Sequence, residues 1–286
     1  KRWGGILFQM PLGSGRYDPP MLSHLPGYSL PERLWRTARR WALAWGRIVY
    51  LGAVMLVLVL SPSSYTRAAR RTLARHIYLD TAPILMGFTV LAALLALVIT
   101  RIVVVTALSY GLSRYALEMV IRVLVLELIP LTATLFVAMR CTIPHGTQLA
   151  LLRQSGHFDA LRAQGGDPVR MELLPRVVAG VFASITLAAL SCVVALIMAY
   201  ISVYGFSLAG LPSYTRMFGH VFSPAVTLVF ALKTLFSSLA VALIPTTAGM
   251  YDAGEGVTPD SELGGLARMF AVLLLIEVGS LVGNYY

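Results

Sequence analysis

The sequence predicts an all-α membrane protein, in which an N-terminal interfacial and elbow helix precedes five transmembrane helices and a cytoplasmic helix joins the second span to the third. Hydrophobic residues make up 57% of the 286 residues, charged residues make up 13%, and the mean hydropathy is +0.75. These values are too apolar for an ordinary soluble domain. Five apolar segments can cross about 30 Å of hydrocarbon, and they lack the alternation typical of membrane β-strands.

The amino-terminal part is predicted to lie outside the five spans. Residues 1–31 are rich in glycine and proline without periodicity, which is typical of an irregular segment. Residues 32–76 are predicted to form interfacial and elbow helices, because arginines and tryptophans mix along their first half. The run Ile48–Leu60 holds about 13 residues, whereas a span needs about 20. Because arginines flank this run on both sides, we expect it to enter and leave the membrane on the cytoplasmic face.

Residues 77–286 are predicted to form a domain of five spans. The predicted spans are residues 82–108, 115–140, 172–204, 222–247 and 263–284. The loop at 61–81 carries four arginines and the segment at 140–176 carries five, whereas 109–115 and 205–221 carry one each. Because basic residues favour the cytoplasmic side, we expect the amino terminus and the 140–176 segment to be cytoplasmic. The carboxyl terminus then lies on the opposite side of the membrane, and the chain is predicted to cross the membrane several times.

Several classes of protein are excluded by the same composition. The net charge of +10 comes from arginines that flank apolar runs, so no nucleic-acid partner is predicted. No P-loop sequence is present, and any ATP must be hydrolysed by another chain. Cys141 and Cys192 are expected to be packing residues. Because His145, His157 and His220 lack the spacing of metal ligands and no serine elbow occurs, we predict no catalytic residue, no metal site and no cofactor.

Charged residues inside the predicted spans are candidates for function, because a charge at membrane depth costs at least about 2.5–3.5 kcal/mol. Glu118 and Arg122 are spaced i, i+4, which favours mutual neutralisation. Glu127 lies three residues before Pro130, whose ring interrupts the hydrogen bonding of a helix. Two interpretations stay open for Glu127: it marks a hinge at Pro130, or it forms an intramembrane charge network with Lys233 of the fourth span.

A helix is predicted at about 149–163, between the second and third spans. Its apolar residues fall near one face and are Leu149, Leu152, Phe158 and Leu161. Arg153 and Arg162 lie off that face, and Gly156 weakens the helix by about 1 kcal/mol. Two interpretations fit this pattern: a solvated loop helix, or a coupling helix that docks on a separate ATPase.

Short motifs in this region resemble a known family. Glu127-Leu-Ile-Pro130, Ala138-Met-Arg140 and Asp167-Pro168 resemble, without a gap, the Glu-Leu-Gly-Pro, Ala-Gly-Arg and Asp-Pro motifs of the MlaE/YrbE permeases. These are the membrane subunits of MCE-associated ABC lipid transporters. Lys233-Thr234 with Phe236 is similar to the family's Lys-Ser-x-x-Phe, and the likeness extends over about residues 33–284. The loop helix is divergent, and Ser155-Gly156-His157 stands where the family has Thr-Glu-Gln.

The resemblance implies a multi-pass permease subunit of the inner membrane, with its carboxyl terminus in the periplasm, that makes and breaks no covalent bonds. It implies an ABC ATPase subunit, a periplasmic MCE-domain protein, a second permease chain in a homo- or heterodimer, and phospholipid or another hydrophobic lipid as the cargo. The residues expected to couple to the ATPase are Leu152, Arg153, Phe158, Leu161 and Arg162. The residues expected to line a lipid cavity are Ile99, Val103, Thr106 and Tyr110.

Two other functions are compatible with the sequence. One is a polytopic membrane enzyme of lipid metabolism, in which Glu127, Arg140 or His157 is catalytic. The other is a membrane scaffold that transports nothing. Co-purification separates the three, because a permease brings down an ATPase and an MCE-domain chain, an enzyme turns over lipid alone, and a scaffold does neither.

Overall fold

A computed structural model describes residues 30–62, 67–251 and 259–285, and in these residues the chain is helical without strands. The α-helices are α1 (Leu30–Leu60), α2 (Arg67–Ser109), α3 (Ser113–Val120), α4 (Ile129–Val137), α5 (Ile143–Gln154), α6 (His157–Ala163), α7 (Leu174–Tyr204), α8 (Leu211–Val221), α9 (Pro224–Tyr251) and α10 (Pro259–Tyr285). The prediction of an all-α membrane protein is confirmed. The irregular segment predicted at 1–31 lies outside the described residues, except that Leu30 and Pro31 begin α1.

The described residues divide into two units, with the boundary between residues 44 and 45. The structure describes residues 30–44 of the first unit, where they begin α1. Helices α2 to α10 belong to the second unit.

Six helical stretches in the described residues are long and apolar enough to cross a membrane. They are Trp41–Leu60, Ala69–Ser109, Tyr115–Gln154, Val169–Tyr204, Pro224–Tyr251 and Gly264–Asn284. The last five contain or nearly coincide with the five predicted spans. The first holds 20 residues because the helix continues in front of the run that begins at Ile48. Its length and composition allow a crossing, so the elbow on the cytoplasmic face stays a prediction.

Helix α2 is longer than a membrane span requires. Its 43 residues extend over about 64 Å, roughly twice the thickness of the hydrocarbon layer. It packs along α7, and the cluster at this contact contains Ala92, Ala183 and Ala188, which are all buried. Small side chains let two helix backbones approach closely, which is the usual basis of helix packing in membranes.

Three π-helical segments interrupt the second and third spans, and each ends two residues before a proline. The segments are Ile121–Leu128, Ala138–Thr142 and Val169–Leu173, and the prolines are Pro130, Pro144 and Pro175. A proline has no N–H to donate, and its ring clashes with the carbonyl four residues earlier. The wider turn of a π-helix moves that carbonyl away from the ring. The helix therefore continues through Pro130, where an interruption of its hydrogen bonding was predicted.

The single helix expected at 149–163 is two helices in the structure. Helix α5 ends at Gln154 and α6 begins at His157, and Gly156 between them has φ +73°. A left-handed residue cannot continue an α-helix, and glycine adopts this conformation without a steric penalty. The glycine therefore breaks the helix that the apolar pattern predicts.

Helix α8 forms within the segment expected as a loop at 205–221. The hydroxyl of Tyr214 donates to the carbonyl oxygen of Leu196 in α7 at 2.9 Å. Burial raises the pKa of Tyr214 to about 12, because the phenolate form would lose its hydration. The tyrosine thereby attaches α8 to the third span.

Candidate functional site

A buried ammonium group joins three helical elements of the bundle. Lys233 of α9 pairs with Glu127 of the second span, and its Nζ lies 2.5 Å from Glu277 Oε2 of α10. The same Nζ donates to the carbonyl oxygen of Leu126 at 3.2 Å. The Lys233 side chain is 2% exposed, and those of Glu127 and Glu277 are 15% and 12% exposed. We call Glu127, Lys233, Glu277 and Asn284 the charge cluster.

Local sequence explains why Lys233 fits this position. An ammonium group has three donors, and the two carboxylates and the Leu126 carbonyl supply three acceptors. Pro130 lies four residues after Leu126 and has no N–H to offer that carbonyl. The proline and the ion pair are therefore two parts of one arrangement, whereas the sequence alone left hinge and pairing as alternatives.

Helix α10 contributes two residues to the charge cluster that were not predicted as its members, Glu277 and Asn284. Besides Glu277, Asn284 Nδ2 donates to Glu127 Oε1 at 3.3 Å, and it lies 3.5 Å from Ser280 Oγ. Glu277, Ser280 and Asn284 recur at i, i+3 and i+7, a spacing that places polar groups on one face of an apolar helix. This stripe of polar residues is the feature of the sequence that could have indicated α10 as part of the charge cluster.

A second group of contacts connects residues 143–173 to α9 and α7. These residues begin with α5 and end with the π-turn Val169–Leu173. Arg153 Nη1 donates to the carbonyl oxygen of Met250 in α9 at 3.0 Å. His157 Nε2 of α6 lies 3.5 Å from Glu172 Oε1, and Glu172 Oε2 lies 2.6 Å from Arg176 Nη1 of α7. We call residues 143–173 the coupling segment. Its two helices are thus connected to α9 and to α7 by polar contacts.

The backbones of α5 and α9 touch where two glycines face each other. A Cβ atom built on Gly249 would overlap the carbonyl oxygen of Gly146, and one built on Gly146 would lie 2.5 Å from the carbonyl oxygen of Pro245. Any larger residue at either position forces the helices apart. At this point α5 and α9 are therefore in direct backbone contact.

The five residues predicted to contact an ATPase are divided between the interior and the surface. Phe158 is 5% exposed and packs with Leu149 and Leu173, and Leu152 adjoins the same cluster. Arg153 is half-buried against α9, and Leu161 is half-buried. The Arg162 side chain is 61% exposed and lies 3.2 Å from Asp159. The apolar face predicted to dock outward thus packs largely within the chain itself.

The four positions predicted to line a lipid cavity are likewise divided. Ile99 and Val103 are partly buried and pack against the core cluster that contains Leu117 and Ile121. Thr106 is exposed, and Tyr110 is 76% exposed. The exposed apolar residues on this part of α2 are Val98, Ile102, Val105 and Leu108.

The residues proposed for a lipid enzyme are not assembled into one site. Glu127 belongs to the charge cluster, His157 belongs to the coupling segment, and Arg140 is exposed on the π-turn between α4 and α5. Among the described residues, no recorded contact joins these three side chains. The described residues also include a group whose ligand atoms lie close enough together to hold a metal ion, namely His76, Asp80 and His145.

A protein-family model described as Permease MlaE matches residues 73–281. This range contains the whole coupling segment and every residue of the charge cluster except Asn284. No curated protein matches the chain. The matched region covers most of the sequence and includes all or most of five of the six candidate spans. The resemblance noted from the short motifs is confirmed: the chain belongs to the MlaE permease family, and it is the multi-pass membrane subunit of an ABC transporter.

Proposed function

We propose that this chain is one permease half of a dimeric ABC transporter, which moves phospholipid or another hydrophobic lipid between the inner membrane and a periplasmic MCE-domain protein. The observation that carries the proposal is the family match over residues 73–281. A separate ATPase subunit supplies the energy, because the chain has no P-loop. The coupling segment faces the cytoplasm and the carboxyl terminus faces the periplasm, as the distribution of arginines favours.

In this proposal the coupling segment conveys ATPase closure to the spans by two routes. One runs from α5 to α9 through the contact of Gly146 with Gly249 and the hydrogen bond from Arg153. The other runs from α6 to α7 through Glu172, which contacts His157 and Arg176. Because α9 also carries Lys233, a movement of α9 acts on the charge cluster and on α10. Direct backbone contacts and ion pairs of this kind favour rigid-body movement of helices over local bending.

The exposed residues of the segment are the ones available to an ATPase. They include Leu151, Asp159 and Arg162. Phe158, Leu152 and Arg153 hold the segment against the bundle, and this positioning is their proposed share in coupling. Phe158→Asp would bury a carboxylate and destabilise the fold, so it cannot separate coupling from folding.

Lipid and the second permease chain are proposed to contact the outer faces of the first and last spans. On α10 the exposed apolar residues include Leu274, Leu275 and Val278. On α2 the exposed face leads to Thr106 and Tyr110, with Ile99 and Val103 supporting it from behind. Apolar side chains at such density are exposed either to lipid or to another subunit.

The test is transport in proteoliposomes that contain the chain, its co-purifying ATPase and a fluorescent phospholipid. We expect Arg162→Glu to reduce lipid movement per ATP hydrolysed at unchanged insertion of the chain. Arg216→Glu is the matched control, because Arg216 is also an exposed arginine on a short helix, but it lies in α8 on the predicted periplasmic side. Equal effects of the two changes would contradict coupling through α6.

Purification of the unmodified chain tests the alternatives in the same experiment. A permease co-purifies with an ATPase and an MCE-domain chain. Turnover of lipid by the chain alone would instead support the enzyme, and neither partner nor turnover would support the scaffold.

A further inference from the structure

Three metal-ligating side chains converge where α2 meets the start of α5. His76 and Asp80 are spaced i, i+4 and therefore share one face of α2. His145 lies in the first turn of α5, and its Nε2 is 3.3 Å from Asp80 Oδ1. The rings of His76 and His145 are 6.2 Å apart between centroids and nearly perpendicular. One ligand atom from each of the three residues lies within 4.8 Å of the other two.

The polar atoms of this group are buried without sufficient partners. Asp80 is 8% exposed and His145 is 7% exposed. Asp80 Oδ2 and His145 Nδ1 are both inaccessible to solvent, and neither has a hydrogen-bond partner among the described residues. An unpartnered polar atom in a protein interior costs about 1–3 kcal/mol. Buried polar groups in native structures nearly always have a partner, so two such atoms on neighbouring side chains point to a bound ligand.

We infer that His76, Asp80 and His145 bind a divalent transition-metal ion of the zinc class, which connects α2 to the coupling segment. Imidazole nitrogens favour zinc and its neighbours, whereas magnesium and calcium prefer sites made of oxygen atoms. Ligand atoms bound tetrahedrally at 2.0–2.1 Å are separated by about 3.4 Å. The three ligand atoms lie within 4.8 Å of one another, so they would have to approach by at most about 1.4 Å to reach that separation. His76 is half-buried, which leaves a path for the ion and a position for a water ligand.

The charges around the site are compatible with a cation. Arg176 and Glu172 are the other ionised side chains that act electrostatically on His76. Arg176 pairs with Glu172 at 2.6 Å, so its positive charge is compensated. Cys141 Sγ donates to the Asp80 carbonyl oxygen at 3.4 Å, which holds this turn of α2 against the neighbouring π-turn. The carboxylate of Asp80 then supplies the negative charge that a divalent ion requires.

The position of the site suggests what the ion does. His76 and Asp80 precede the apolar run predicted to begin at residue 82, so the site lies near the predicted cytoplasmic surface. His145 is adjacent to Gly146, where α5 touches α9. A bound ion therefore fixes α2, α5 and α9 together at the base of the coupling segment and stabilises this region by mass action.

The experiment measures zinc binding to the purified, untagged full-length chain in nanodiscs, after treatment with a chelator. Equilibrium dialysis with Zn²⁺ and elemental analysis give the stoichiometry, competition with a chelating dye gives the Kd, and Co²⁺ reports the ligand geometry by its visible absorption. The variants are His76→Ala, the double variant His76→Ala/His145→Ala, and His220→Ala. His220 is exposed in α8 and controls for the general loss of a histidine.

We expect one zinc ion per wild-type chain and an unchanged Kd in His220→Ala. Loss of one ligand in His76→Ala should weaken binding at least about tenfold, and the double variant should lose the specific Co²⁺ spectrum. Zinc should also raise the Tm of the wild type but not that of His76→Ala. Because His76 is half-buried, this single variant remains interpretable even if the double variant misfolds. A wild type that binds no stoichiometric zinc, or a His76→Ala variant that binds it like His220→Ala, would overturn the inference.

Discussion

Removing Lys233 from the charge cluster tests whether its charges act as a unit. In Lys233→Met, two buried carboxyl groups lose their cation, and the Leu126 carbonyl loses a donor. Breaking a buried ion pair by removing one partner costs about 3–5 kcal/mol. Glu127→Gln should cost less, about 1.5–3 kcal/mol, because Lys233 keeps Glu277 and the loss is confined to the charge-assisted hydrogen bonds that Glu127 accepts from Lys233 and Asn284.

The two changes should not be additive. In the double variant Lys233→Met/Glu127→Gln, only Glu277 remains without a cation, so part of the loss should be recovered. We expect a coupling energy of about 0.5–3 kcal/mol between the two sites. Adding Glu277→Gln should recover stability further, because no charge is then left unpaired.

The assay is reversible unfolding in mixed micelles, followed by far-UV circular dichroism, which gives the free energy of unfolding for each variant. Arg122→Met is the matched control: it also removes a basic partner from a span, but the Arg122–Glu118 pair is 23% and 29% exposed. We expect it to cost no more than about 1 kcal/mol. If Lys233→Met were no worse than Arg122→Met, or if the cycle were strictly additive, the reasoning about a coupled buried cluster would be refuted.

Two further predictions concern helix contacts and topology. Gly249→Ala should destabilise the chain by about 1–3 kcal/mol, because the new methyl group overlaps the Gly146 carbonyl. The control Gly87→Ala should be neutral or stabilising, because nothing lies within 4 Å of its Cβ position. Thermal unfolding of both variants tests this prediction, and equal changes in Tm would contradict the close contact. A cysteine at Ser63, between α1 and α2, should react with a membrane-impermeant maleimide only after cell lysis, since the elbow is expected to return to the cytoplasmic face. Labelling in intact cells would contradict this topology and would mean that α1 crosses the membrane, unless the amino terminus is itself outside.

The membrane class and the five long apolar helices of the predicted spans followed from composition and the lengths of apolar runs, because whether a helix is long and apolar enough to cross the hydrocarbon depends on local sequence. The approximate bounds of the five spans were predictable for the same reason. The break between α5 and α6 was not, since helical periodicity cannot show whether Gly156 adopts a left-handed conformation. Periodicity also identified an apolar face containing Phe158 without showing that the chain itself covers that face.

Contacts between distant residues were decided by the tertiary structure. Glu127 and Lys233 could be proposed as partners because a buried charge needs a counter-charge, but the choice of Glu277 and Asn284 as further members depends on how α10 packs on α9. His76 and His145 lie on helices separated by an entire span, so no spacing rule in the sequence relates them. Sequence therefore determined which residues require polar partners, and the packing of the helices determined which partners they receive, because that packing alone sets distances across the bundle.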